Sequence, residues 1–129
     1  MPQTGLGVAL KTLRERRTLS LREFSKLSEV DHAYIHRLES GEKTNPTPEM
    51  IDKLLKSLKP SEREEELIKW LADHADTDPE LVEFTIATPE IEMHWFVAAA
   101  GIRHRGTTRP DPATLIARVK KLFEDDEED

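Results

Sequence analysis

Apolar residues recur three and four positions apart along most of the chain, and no segment alternates apolar with polar as a half-buried strand does. This pattern predicts an all-α protein of eight helices, over 6–17, 20–27, 31–40, 48–58, 61–74, 79–86, 89–100 and 112–123. Phe24, Leu27, Val30, Ile35 and Leu38 read as the buried seam of one closely connected helix pair, with Leu10, Leu13, Leu19, Leu54, Leu55 and Leu58 around it. At roughly 1.5–3 kcal/mol for each large side chain removed from water, such a cluster can hold a small unit together. Leu67, Trp70 and Leu71 face inward from the fifth helix. Three further apolar faces follow: Leu81, Phe84 and Ile86; Ile91, Trp95, Phe96 and Ala99; then Leu115, Ile116, Val119, Leu122 and Phe123.

Start and stop signals bracket these segments. Ser20 with Glu23, and Ser61 with Glu64, fit the capping box, in which a hydroxyl and a carboxylate satisfy amides that the first turn leaves free. Thr47-Pro48, Asp78-Pro79, Thr88-Pro89 and Asp111-Pro112 each set a capping side chain before a proline that needs no amide partner. Gly41 and Gly101 stand where left-handed caps are expected. Residues 101–110, with Arg103, His104, Arg105 and Arg109, read as an exposed basic loop. Residues 124–129 are all acidic, which opposes the dipole at a helix C-terminus, so a disordered acidic tail is expected there.

Charge changes the picture. The 129-residue chain carries a formal net charge of −7, which speaks against a polyanionic partner, but the charge is unevenly placed. Residues 1–60 hold 11 Lys and Arg against 8 Asp and Glu, and residues 61–129 hold 8 against 18. Binding to phosphates is local, so the basic half remains a candidate for it. With no cysteine, disulfides and thiolate metal sites are excluded, and a reducing cytoplasm is compatible. No stretch approaches the roughly 18 apolar residues of a membrane span. The opening Met1-Pro2-Gln3-Thr4-Gly5 lacks the features of a signal peptide. The expected location is therefore cytoplasmic.

The informative stretch is Leu13 to Pro46. A short capped helix, the apolar plug Val30 and a second short helix with Asp31 as its cap fit a helix-turn-helix, whose second helix enters the major groove of DNA. Leu13-Arg14, Leu19-Ser20, Phe24, Val30, Ile35, Arg37-Leu38-Glu39, Gly41 and Asn45-Pro46 together resemble the Cro/CI (Xre) repressors. The resemblance implies a five-helix, lambda-repressor-like DNA-binding domain over residues 1–60. It implies an ion pair between Arg14 and Glu39 that also keeps Arg14 near the DNA backbone. It implies that His32, Ala33 and Arg37 face the bases, flanked by Tyr34 and His36. Arg37 suits guanine O6 and N7, and Ala33 a thymine methyl. Arg22, Ser40, Lys43 and Thr44, with helix N-terminal amides, suit phosphates. The chain departs from the family at three points. Glu29 occupies a turn position usually held by glycine, Ser25 replaces an alanine, and Leu21 stands where relatives often present a glutamine.

Residues 61–77 are expected to connect this unit to a three-helix dimerisation region over 78–123. Two recognition helices one DNA turn apart require two copies, so a homodimer is expected. The plan of this second half also resembles the DdrO repressors, which an IrrE/ImmA-type zinc metallopeptidase inactivates. That resemblance implies cleavage near His104 and Arg105 in a stress response. The rival expectation is an antitoxin or protein-binding module that neutralises a toxin through the acidic half. Other chemistry is thin. His32 and His36 are spaced as a zinc pair, yet lack the further ligands zinc needs. His94 beside Trp95 reads as aromatic packing, and His74 as an exposed helix end. Gly5-Leu6-Gly7 follows no strand, so it is not read as a phosphate loop. No enzyme activity, metal or cofactor is expected.

Overall fold

A computed structural model describes residues 3–102 and 110–128. Among them lie eight helices and no strand: α1 (Gly5–Arg16), α2 (Leu21–Ser28), α3 (His32–Ser40), α4 (Pro48–Leu58), α5 (Glu62–Ala72), α6 (Pro79–Ala87), α7 (Met93–Ala100) and α8 (Pro112–Glu128). The protein is thus all-α. The local signals act as their chemistry requires. Ser20 and Ser61 both close complete capping boxes. Thr4, Asp31, Thr47 and Asp78 accept first-turn amides, and Asp111 accepts the Thr114 amide at 2.7 Å.

One hydrophobic core runs through both halves. α1 lies at its centre, with Ala9 and Leu10 fully buried. One side of α1 meets α3 and the other meets α6, whose Leu81 and Val82 are also fully buried. α7 and α8 then close over α5 and α6. The apolar faces of the last three helices are therefore covered in large part by the chain itself. Arg16 adds a polar tie from α1 to Glu64 of α5, at 2.6 Å. Burial pushes the Glu64 carboxyl up, but hydrogen bonds from the Ser61 backbone and from Arg16 outweigh it and hold the group below its ordinary value.

Four local expectations are corrected. The helix expected from residue 89 begins at Met93. Pro89 and Glu90 instead lie in a turn closed by the Ile91 amide on the Thr88 carbonyl, at 3.1 Å, which drops Ile91 into the core. The tail expected to fray from residue 124 stays helical to Glu128. Glutamate is a good helix former, and Lys120 reaches Glu124 one turn on, at 3.8 Å. Gly101 ends α7 at φ −81°, so no left-handed cap is used there. Leu27 is 58% exposed rather than part of the buried seam, because the inward face of α2 runs through Phe24 and Ser28.

The turn before α7 is held by Arg63 of α5. Its Nε donates to the Ile91 carbonyl at 2.6 Å, and its Nη2 to those of Thr85 (2.6 Å) and Thr88 (3.1 Å). Burial lowers the pKa of this guanidinium from its ordinary value, yet an arginine remains charged throughout the accessible pH range. Arg63→Met keeps the apolar stem and leaves three carbonyls short of a donor. We expect a loss of about 2–3 kcal/mol, the scale of hydrogen bonds to a charged group, read as a lower urea midpoint for the whole chain.

Candidate nucleic-acid interface

The geometry of the α2–α3 pair begins with its turn. Glu29 ends α2 in the left-handed region, at φ 60° and ψ 31°, and its amide donates to the Ser25 carbonyl. A non-glycine residue there is strained by about 1 kcal/mol. Ser25 offsets the strain: its hydroxyl donates to the Val30 carbonyl at 2.5 Å, and its own carbonyl also receives the Val30 amide at 3.3 Å. The Ser25 and Glu29 departures thus belong to one turn. Val30 is buried behind them, and Phe24, Ile35 and Leu38 are fully buried. At the other end of α2, the Ser20 backbone amide holds the Glu23 carboxyl below its ordinary value, consistent with the capping box.

α3 starts on Asp31, whose Oδ2 accepts the Tyr34 amide at 3.3 Å. It stops at Gly41, which takes φ 85° as its left-handed cap requires. His32, Ala33, His36 and Arg37 are exposed, while Tyr34 and Ser40 are half-buried. Ser40 turns its hydroxyl onto the Arg37 carbonyl at 3.2 Å. The Lys43 amide donates to the same carbonyl at 3.0 Å, which fixes the following loop against α3. Lys43 and Thr44 are exposed on that loop, and Arg22 is exposed on the first turn of α2. Leu21 is half-buried against the core and offers no hydrogen bond.

Arg14 and Glu39 lock α1 to α3 with two contacts, Nε to Oε2 at 2.8 Å and Nη2 to Oε1 at 2.9 Å. The third donor, Nη1, reaches the Leu19 carbonyl at 2.8 Å. The Glu39 hydrogen bond raises the Arg14 pKa, against the effect of burial. With its side chain 11% exposed and all three nitrogens engaged, Arg14 is positioned as scaffold. Beneath the pair, α1 and α3 touch through backbone at Gly7: a Cβ there would lie 2.5 Å from the Glu39 carbonyl oxygen.

Three residues central to this architecture carry little signal in the sequence: Gly7 stands in a Gly-x-Gly that follows no strand, Ser25 is a single replacement of an alanine, and Arg63 belongs to no motif. Gly7 had one usable signal, a glycine inside an amphipathic helix, which implies close backbone approach. The cleavage positions His104 and Arg105 lie outside the described residues. His74 is exposed and stacks on Trp70 with ring centroids 3.8 Å apart; His94 meets Trp95 and Phe123 edge-on. Among the described residues, no three His, Asp or Glu side chains converge as a metal site, and no helix is long and apolar enough to cross a membrane.

Residues 6–68 match the family model of a helix-turn-helix domain. The matched segment spans α1 to α4 and most of α5, just under half of the chain. The match supports a helix-turn-helix regulator family and suggests a DNA-binding regulator. No curated protein matches the chain.

Proposed function

We propose that the protein is a sequence-specific, dimeric transcriptional repressor of the Cro/CI (Xre) kind. The observation that carries this reading is the outward face of α3. His32, Ala33, His36 and Arg37 stand exposed there, on a helix whose other face is locked by Ile35, Leu38 and the Arg14–Glu39 pair. A rigid helix with a free polar face flanked by Arg22, Lys43 and Thr44 is the arrangement that groove reading needs. Arg37 is the base reader, and the flanking cations and hydroxyls set the register on phosphates. Dimerisation is supported by Leu122 and Val97, which remain 63% and 36% exposed on α8 and α7 after the core is complete. Such apolar positions suit a second copy, which brings the second recognition helix.

Selection of bound fragments from a random duplex library tests the reading. We expect a motif of two inverted half-sites with centres about 34 Å apart, one helical turn. Arg37→Ala should lose roughly 1–3 kcal/mol on the selected site and relax preference at one base pair per half-site. A library that returns no enriched motif, or an Arg37→Ala chain with unaltered preference, rejects it.

A further inference from the structure

We propose that DNA binding by this chain is coupled to proton uptake, with His32 and His36 becoming imidazolium on the recognition helix as duplex binds. The proposal rests on the groove-reading role of α3 and adds its regulation.

The argument is one of charge and placement. From Ser20 to Asn45, the segment that would meet DNA holds four cations, Arg22, Lys26, Arg37 and Lys43. It also holds five anions, Glu23, Glu29, Asp31, Glu39 and Glu42. Of the elements packed on α3, α1 contributes Arg14, which cancels Glu39 in the buried pair. α1 also carries Lys11 and Glu15, paired with each other at 3.9 Å, and Arg16, paired with Glu64 of α5 at 2.6 Å. Glu23 stays on α2 in its capping box. The reading head is therefore electrically neutral when both imidazoles are neutral. A head with no net charge gains little from the field of DNA beyond the phosphate contacts of its own cations.

His32 and His36 are the ionisable groups that can change this near neutral pH. They lie four apart on one helix face, both exposed. No ion pair ties either of them to an acid among the described residues. Two protons turn the neutral head into one of charge +2 at the surface that approaches phosphates. Duplex phosphates favour the imidazolium in turn, so binding draws protons from solution, and affinity rises as pH falls.

Fluorescence anisotropy of the full chain on a mixed-sequence duplex, between pH of about 8.5 and about 6, tests this in the range where imidazoles titrate. We expect affinity to rise by about tenfold per histidine, or about a hundredfold in all. The slope of log affinity against log salt should steepen by about two units at the acid end. H32Q/H36Q should flatten both responses, with either single variant removing about half of each. H74Q/H94Q, altered on α5's end and on α7, should keep them. Circular dichroism at both pH limits verifies the fold of each variant. Duplex binding with no pH response overturns the proton coupling and leaves the DNA-binding reading standing. So does an H32Q/H36Q chain that keeps the wild-type response, or an H74Q/H94Q chain that loses it. Failure to bind duplex at any pH overturns both.

Discussion

Gly7→Ala is expected to cost about 3 kcal/mol of stability, at the upper end of the overpacking range, and to lower Tm by roughly 10 °C for a domain of this size. The added Cβ would lie 2.5 Å from the Glu39 carbonyl oxygen and 2.7 Å from that of Leu38. Both oxygens are backbone atoms of the last turns of α3, so no rotamer change relieves the clash. α1 has to back away from α3, which loosens the packing between the two helices. Alanine's helix propensity pulls the other way by about 1 kcal/mol, so the net loss isolates the steric term. Gly5→Ala is the internal comparison. A Cβ there meets the ends of side chains, Val82 Cγ2 at 2.8 Å and Leu71 Cδ2 at 3.1 Å, which can shift. We expect a loss there of about 1 kcal/mol. Thermal melts of both variants decide the matter: equal losses at the two glycines would mean that the α1–α3 approach is not rigid.

How legible this molecule is in its sequence depends on the range of each interaction. Caps are local, so Ser20, Asp31, Thr47, Ser61 and Asp78 announce their helices within three residues, and all five act as caps. The left-handed Glu29 is local too, a cap at φ 60° whose amide donates to the Ser25 carbonyl four residues back. What fails is non-local. Thr88-Pro89 has the same chemistry as Thr47-Pro48, yet it starts no helix, because Arg63, 22 to 28 residues earlier in the chain, captures the carbonyls of Thr85, Thr88 and Ile91. The union of the two halves is equally hidden. Gly5 on Val82 is a contact between helices α1 and α6 that no period announces. The candidate face on α3 was readable because its exposed residues are the ones left over once Ile35, Leu38 and Glu39 turn inward. The role of Arg14 was half readable: its partner follows from the family likeness, but its third donor, spent on the Leu19 carbonyl, does not.

That distinction can be tested through Glu39. Glu39→Ala removes the carboxylate and leaves a guanidinium that is 11% exposed with only the Leu19 carbonyl as partner. Breaking one side of a buried pair costs about 3–5 kcal/mol, and we expect about 3, since the Arg14 side chain keeps some contact with solvent. The urea midpoint should fall accordingly. R14M/E39L removes both charges at nearly constant volume, and such swaps are neutral or stabilising within a few kcal/mol. We therefore expect the double variant to recover most of the lost stability. Its DNA response separates two roles for Arg14. If Arg14 only seats α3, the double variant binds duplex with an unchanged salt slope. If Arg14 neutralises a phosphate, the slope falls by about one unit whatever the stability. The three nitrogens of Arg14 are already committed within the protein, so the first outcome is the one expected. A drop of one unit in a well-folded R14M/E39L chain would place Arg14 at the interface.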